Sequence, residues 1–222
     1  MGTLYIVATP IGNLEDITNR AVRVLQEVSV IACEDTRVTR TLLNRYNITT
    51  PVISYHQHSK LSRVDEIVER LKAGESVAAV SDAGTPGVAD PGGVLVAAAV
   101  AAGVTVSPIP GPSAIMAAAS VTGWPMDRFL FYGFLPHKKG RATGLRVIAS
   151  SEVPVILYES THRIMKLLDE LLTVCGDCQI VVAREITKQF ETIHRGRVSD
   201  VQRDMKETRG EFVVIIDPST KA

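Results

Sequence analysis

The 222-residue chain is long enough for two domains of about 100 residues each. Its composition, 45% hydrophobic and 22% charged, is that of a folded protein with a substantial core, which excludes disorder and coiled coil. The formal charge is zero, because 24 Lys and Arg balance 24 Asp and Glu, and this excludes an intensely basic nucleic-acid-binding domain. Neither a signal peptide nor a stretch that could span a bilayer is recognisable, so we expect a cytoplasmic protein that does not enter membranes.

Short β-branched apolar runs alternate with helical patterns in the first half of the chain. The predicted strands are 4–8, 28–33, 51–55, 77–81 and 104–109, and the predicted helices are 17–26, 37–46, 61–73 and 93–102. The strands are continuously apolar, which is typical of a parallel sheet covered on both faces. Residues 1–114 are therefore predicted to form an α/β domain with right-handed crossovers.

Pro and Gly residues interrupt this rhythm near 110–128, and a second series of elements follows. Its predicted strands are 129–133, 154–159, 179–184, 191–197 and 211–217, and its predicted helices are 140–150, 162–174 and 198–207. No helical pattern separates 179–184 from 191–197, which indicates a hairpin and hence a mixed sheet. Residues 115–222 are predicted to form a second α/β domain, with a cleft between the two.

Cys175 and Cys178 have the C-x-x-C spacing of metal and redox sites. Tetrahedral zinc needs four ligands, and no second pair with suitable spacing is present. The pair follows an amphipathic helical pattern, and Gly176 is typical of a helix end. We interpret it as a helix-to-strand turn and predict no metal site; His56 and His58 are predicted to be surface residues.

Glycine- and proline-rich segments follow three predicted strands of the first domain, at 9–13, 81–93 and 110–114. Ligands of open α/β sheets bind at the carboxyl ends of the strands. Segment 81–93 lacks a Walker pattern and contains no Lys or Arg, so a phosphate site is disfavoured. Its Asp82 and Asp90 favour a neutral or cationic ligand, such as an adenosine with a sulfonium group. The alternative is a stiff surface loop.

Seven segments then carry a specific resemblance, in this order: VATPIGNLEDIT (7–18), EDTR (34–37), SDAGTPGVADPGG (81–93), IPGPSA (109–114), YESTHRI (158–164), AREITKQFE (183–191) and GEFVVII (210–216). Together they resemble the ribosomal RNA small subunit methyltransferase I family of the tetrapyrrole methylase superfamily. The resemblance spans nearly the whole chain. It implies S-adenosylmethionine bound between the two domains, a homodimer, and 2′-O-methylation of a cytidine in 16S ribosomal RNA near the decoding site of the small ribosomal subunit. DNA is not an expected partner.

The resemblance also implies which positions line the methyl donor. They are Pro10, Ala83, Gly84, Thr85, Val88, Ser113, Ala114, Glu159 and Ile186. Members of the family are expected to continue beyond the GEFVVII segment into a small helical extension, whereas this sequence stops at Ala222.

Methyl transfer to a ribose hydroxyl requires two positioned reactants and the removal of a proton. The candidates for that proton are Asp35, Glu185 and a neutral Lys188, while Arg37 or Arg184 could hold a phosphate. Each has a structural alternative. The EDTR residues could cap a helix, and Glu185 with Lys188 could form an exposed ion pair.

A basic cluster is the predicted RNA surface, because a neutral protein that acts on a polyanion must concentrate its positive charge somewhere. Its residues are Lys138, Lys139 and Arg141, with His137 and Arg146 nearby. The alternative is a solvated polar face.

Two other functions compete with RNA methylation. A porphyrinoid carbon methyltransferase would share the donor site but need a large apolar acceptor trough, which the 5% aromatic content disfavours. A non-catalytic ligand-binding module would bind the donor without an acceptor.

Overall fold

The computed structural model describes residues 1–55, 61–89 and 93–220. The chain forms two compact units, Met1–Ser113 and Ala114–Ala222, called here the N-terminal and C-terminal units. Within the described ranges, no helix is long and apolar enough to cross a bilayer. Residues His56, His58 and Asp90, which the sequence singled out, lie outside those ranges.

The N-terminal unit contains a five-stranded sheet in the order β3-β2-β4-β1-β5, and every neighbouring pair is parallel. The strands are β1 (Thr3–Val7), β2 (Val30–Cys33), β3 (Val52–Ser54), β4 (Val77–Val80) and β5 (Thr105–Ile109). The helices are α1 (Asn19–Glu27), α2 (Thr36–Arg45), α3 (Leu61–Lys72) and α4 (Gly93–Ala101). This confirms the predicted parallel α/β architecture.

Strand β2 explains why these runs are continuously apolar. Successive side chains of a strand point to opposite faces of the sheet. Ile31 and Cys33 pack in a core with α1 and α2, whereas Val30 and Ala32 pack in a second core with α3 and α4. Both faces are covered, and all four β2 residues are buried.

The C-terminal unit contains a mixed sheet in the order β6-β7-β10-β8-β9, in which only β6 and β7 pair in parallel. The strands are β6 (Leu130–Phe134), β7 (Val155–Ser160), β8 (Gln179–Arg184), β9 (Thr192–Arg197) and β10 (Glu211–Asp217). The helices are α5 (Ala114–Ser120), α6 (Arg141–Ala149), α7 (Ile164–Cys175) and α8 (Val198–Asp204). The mixed sheet and the β8–β9 hairpin confirm the prediction.

Helix α5 was not predicted, because its seven residues fall in the region interpreted as a break. Ile115, Ala118 and Ala119 of α5 pack on the sheet beside Ile156 and Val181. The helix is too short to display an apolar periodicity, and prolines and glycines flank it on both sides.

The cysteine pair forms the helix-to-strand turn that the sequence indicated. Helix α7 ends at Cys175, and Gly176 follows with a φ of +69°, a conformation that favours glycine. Cys175 and Cys178 are buried thiols in the apolar core. The hydrogen bond with Cys175 and burial both raise the pKa of the Cys178 thiol, which disfavours its reactive thiolate.

Candidate functional site

Two loops at the carboxyl ends of adjacent strands in the N-terminal unit are joined by their backbones. Thr9, after β1, donates its N–H to the Gly84 carbonyl at 2.9 Å, and the Gly84 N–H donates to the Thr9 carbonyl at 3.0 Å. The Thr9 hydroxyl also donates to the Ser81 carbonyl at 3.1 Å. The loop after β4 is therefore fixed against the loop after β1.

The loop after β5 joins the same cluster. The Thr85 hydroxyl donates to the Pro112 carbonyl at 3.3 Å. A Cβ atom at Gly111 would lie 3.0 Å from the Ala8 Cβ, so a larger residue here would push the two loops apart and glycine is favoured. The carboxyl ends of β1, β4 and β5 thus form one connected rim.

This rim includes most of the predicted donor positions in the N-terminal unit. The two backbone hydrogen bonds between Thr9 and Gly84 form a β-bridge, and Pro10 and Gly84 are buried next to it. Thr85 and Ser113 are half-buried, and Ala83 and Val88 are exposed. Gly84 has a φ of +78°, where a side chain is strained. Because residues 81–89 contain no Lys or Arg, the described part of the rim suits a neutral or cationic ligand better than a phosphate.

The loop after β2 is tied to the same rim. The Asp35 N–H donates to the Asp82 carboxylate at 3.0 Å. Asp35 caps α2 by accepting the Arg37 N–H at 2.8 Å, and its carboxylate pairs with the Arg37 guanidinium at 2.6 Å. These hydrogen bonds from Arg37 lower the pKa of Asp35 to about 2. An efficient general base has a pKa near the working pH, so this carboxylate is suited to capping more than to proton removal.

In the C-terminal unit, Glu159 at the end of β7 has an unusual environment. Its side chain is fully buried, and Oε1 accepts the Ser160 N–H at 2.7 Å and forms an ion pair with Arg163, whose Nε lies 2.7 Å away. Oε2 is also buried but has no hydrogen-bond partner among the described residues. An unsatisfied buried acceptor is costly, so a ligand that brings a hydrogen-bond donor here would be stabilised. S-adenosylmethionine carries such donors on its amines and hydroxyls, and this chemistry fits Glu159.

The loop between β8 and β9, residues 185–191, contains Ile186 and two of the three predicted acid–base residues, Glu185 and Lys188. Lys188 Nζ donates to Glu185 Oε1 at 3.0 Å and to Glu211 Oε2 at 2.9 Å. Ile186 is half-buried against the apolar cluster beneath the sheet. The loop is therefore held by an ion-pair network as well as by apolar packing.

The pKa shifts within that network oppose a role in proton removal. Burial opposes the charge on Lys188, but the hydrogen bonds to Glu211 and Glu185 outweigh it and raise the lysine pKa. Burial likewise opposes the charge on Glu185, but the Glu211 N–H and Lys188 outweigh it and lower the carboxyl pKa. Both groups stay charged at neutral pH. These shifts favour an ion-pair role for Lys188 over the predicted role as a neutral base.

Two of the arginines predicted to contact RNA are structural. Arg141 is only 6% exposed, and its guanidinium binds the Glu170 carboxylate at 2.5 to 3.0 Å and the Pro136 carbonyl at 3.3 Å. Arg184 is buried and donates to the carbonyls of Arg209 and Phe190. The burial and pairing of Arg141 favour a structural role over the predicted RNA contact, and Arg184 is equally unavailable to a phosphate.

The other predicted RNA contacts are accessible. Lys138 and Lys139 are exposed, as are the neighbouring His137 and Arg146. The Arg37 side chain is 89% exposed, although Asp35 partly neutralises its charge.

The chain matches the family model for Tetrapyrrole (Corrin/Porphyrin) Methylases over residues 3–202. Among solved structures, diphthine synthase has the same fold, with a TM-score of 0.75, 15% identity, and coverage of 97% of this chain and 90% of that one. The chain therefore belongs to the tetrapyrrole methylase family.

Two relatives place it more narrowly. It is 48% identical to the ribosomal RNA small subunit methyltransferase I of Xylella fastidiosa, over 97% of this chain and 81% of that protein. It is 47% identical to the protein of the same name from Synechocystis, over 99% of this chain and 80% of that protein. Within the tetrapyrrole methylases, the chain is thus a member of the ribosomal RNA small subunit methyltransferase I group, whose methyl donor is S-adenosylmethionine.

Proposed function

We propose that this protein methylates the ribose 2′-hydroxyl of a cytidine in 16S ribosomal RNA, near the decoding site, and that it acts as a homodimer. The observation that carries the proposal is the 48% and 47% identity, over nearly the whole chain, to proteins named ribosomal RNA small subunit methyltransferase I. The cytidine, the 2′-oxygen and the dimer come from the resemblance of the seven ordered segments.

S-adenosylmethionine supplies an electrophilic methyl carbon on a positively charged sulfonium. The protein must place the ribose oxygen in line with that carbon and help the hydroxyl lose its proton. The connected rim of the N-terminal unit supplies rigidity, since three of its loops are joined at Thr9, Gly84 and Pro112. In the C-terminal unit, Glu159 offers a buried acceptor to the donor molecule.

Proton removal is the smaller contribution in this proposal. Asp35 and Glu185 both have lowered pKa values, so each is an ionised but weak base. Such a carboxylate can accept a hydrogen bond from the ribose hydroxyl and orient it. Placement of the two reactants therefore carries most of the catalysis.

The deciding experiment supplies methyl-labelled S-adenosylmethionine to small ribosomal subunits from cells that lack this protein. We expect label in 16S ribosomal RNA, recovered as 2′-O-methylcytidine after nuclease digestion. Label in an added tetrapyrrole instead would support the porphyrinoid alternative. Donor binding without transfer to either acceptor would support the non-catalytic module.

The exposed lysines provide a test of how the RNA is held. Lys138→Ala/Lys139→Ala is expected to weaken subunit binding and to reduce the slope of log affinity against log salt by about 1.4 to 1.8, as for two lost phosphate contacts. Affinity for the methyl donor should not change. The measurement is a binding titration over a salt series.

The matched control removes two positive charges from exposed helix positions of the N-terminal unit, in Arg23→Ala/Lys72→Ala. It has the same net charge as the lysine variant, so it separates local phosphate contacts from a general charge effect. Equal slopes in the two variants would mean that Lys138 and Lys139 are ordinary surface residues. Arg141 is left intact, because its charge is buried against Glu170.

A further inference from the structure

The loop 185–191 presents a large aromatic side chain to solvent. Phe190 is 66% exposed, and its neighbours Gln189, Glu191 and Thr192 are exposed as well. A single ring among polar residues lacks the contiguous apolar area that a protein–protein interface core requires. Proteins that bind single-stranded RNA use such rings as platforms on which bases stack.

A buried guanidinium links Phe190 to a second exposed side chain. Arg184 donates through Nη1 to the Phe190 carbonyl at 2.9 Å and through Nε to the Arg209 carbonyl at 2.5 Å. The backbones that carry an aromatic ring and an exposed arginine are thereby held side by side. Arg209 forms no side-chain ion pair among the described residues.

The loop backbone is held in one conformation rather than left to adapt. Glu185 and Thr187 have φ values of +51° and +68°, which are uncommon for residues with a side chain. The Thr187 N–H donates to Glu191 Oε2 at 2.6 Å, and Lys188 ties the start of the loop to Glu211. Strained backbone of this kind persists where the surrounding structure fixes it and is concentrated at ligand-binding sites.

The carboxylates near the loop 185–191 have partners other than the Arg209 guanidinium. Glu191 accepts the Thr187 N–H, Glu207 accepts the Arg209 N–H at 2.8 Å, and Glu211 pairs with Lys188. Each of these carboxylates thus has a hydrogen-bond or ion-pair partner other than the Arg209 guanidinium. The guanidinium of Arg209 is exposed and forms no ion pair with these carboxylates among the described residues, so it is accessible to a phosphate.

We propose that Phe190 and Arg209 form a nucleotide-holding pair, in which the Phe190 ring stacks on an unpaired base and Arg209 binds an adjoining phosphate. The inference rests on the proposed RNA acceptor and specifies how that RNA is positioned. The same loop contains Ile186, a predicted donor contact, so a base stacked on Phe190 lies on the loop that also contributes to the methyl donor site. Both are positioning residues, since neither touches the reacting atoms in this arrangement.

The test compares Phe190→Leu, which removes the ring, with Phe190→Trp, which keeps a stacking surface. Phe190→Leu is expected to weaken binding of undermethylated small subunits about tenfold, within the range for one lost base stack, whereas Phe190→Trp is expected to retain it. The effect should appear in KM for the subunit, with the KM for the donor unchanged. Arg209→Gln is expected to lower the salt slope by about 0.7 to 0.9, as for one phosphate contact.

A spectroscopic readout reports on stacking without any methyl transfer. The chain has a single tryptophan, Trp124, so Trp124→Phe/Phe190→Trp places the only indole at position 190. Its fluorescence should be quenched when a single-stranded RNA oligonucleotide is added. If the parent protein methylates no RNA, the proposed function fails, and quenching at position 190 still decides the stacking proposal.

The matched control is Phe134→Leu, since Phe134 is 54% exposed in the same unit but packs beside Tyr158. Equal RNA affinity of Phe190→Leu and the parent would overturn the proposal, as would an unquenched indole in saturating RNA. Loss of the dimer in Phe190→Leu, measured by light scattering, would also overturn it by assigning the ring to a subunit contact.

Discussion

Replacing Gly84 by valine is expected to reduce the affinity for S-adenosylmethionine by about two orders of magnitude. Space is not the obstacle, because a Cβ atom at this position would lie 3.4 Å from the Ile11 Cγ2, which is an ordinary contact. The obstacle is the backbone conformation, since a φ of +78° strains a β-branched residue by about 1–3 kcal/mol. Relief of that strain moves the Gly84 N–H and carbonyl away from Thr9. Thr85 and Ala83, which the bridge positions, then leave the rim.

The control for this variant is Gly103→Val. Gly103 has a similar φ of +72° in the same unit, and a Cβ atom added there would have no neighbour within 4 Å, so the substitution imposes comparable strain away from the rim. Both variants are titrated calorimetrically with S-adenosylmethionine in the presence of a chelator. Donor binding is expected to survive the chelator, because no cluster of three or more potential metal ligands occurs among the described residues. Equal donor affinity of a folded Gly84→Val and Gly103→Val would place the donor elsewhere.

The regular elements were predictable because burial leaves a direct trace in the sequence. Strands β8 and β10 coincide with the predicted ranges 179–184 and 211–217, since both are central strands with runs of buried apolar residues. The β8–β9 hairpin followed from the lack of a helical pattern between two strands. Helix α5 was missed because seven residues carry too little periodicity to outweigh the surrounding prolines and glycines.

The positions of the candidate site were more predictable than their interactions. Glycine- and proline-rich segments after β1, β4 and β5 marked the rim, since parallel strands bring their carboxyl ends to one edge. The bridge between Thr9 and Gly84 spans 75 residues of sequence and left no local signal. The pairing of Lys188 with Glu211 left no local signal either, because Lys188 lies in the β8–β9 loop and Glu211 begins β10, 23 residues away.

The same limitation applies to Arg141, whose burial has no signal in the sequence. In the sequence it is one of several basic residues that follow Pro136, and charge alone assigns it to the surface with Lys138 and Lys139. Its partner Glu170 is 29 residues further along the chain, on α7. Only the packing of α6 against α7 distinguishes a buried ion pair from a solvated one.

Arg141→Ala is accordingly expected to reduce the free energy of unfolding by about 3 kcal/mol, the usual cost of removing one partner of a buried ion pair. The Arg141 side chain is 7% exposed and that of Glu170 is 23% exposed, so the remaining carboxylate loses its best donor where water replaces it poorly. Lys166, 3.8 Å from Glu170, compensates for part of the loss. Urea unfolding followed by the fluorescence of Trp124, which belongs to the same unit, measures the change.

The matched control is Arg146→Ala, an exposed arginine on the same helix, which is expected to change the free energy of unfolding by less than about 0.5 kcal/mol. Arg141→Met/Glu170→Leu should recover most of the stability, because replacing both charges by apolar groups leaves no buried charge without a partner. Recovery in the double variant combined with unchanged RNA binding would assign Arg141 to the fold alone. A stable Arg141→Ala with weakened RNA binding would instead return this arginine to the RNA surface, and would mean that the Glu170 pair forms only in the absence of RNA.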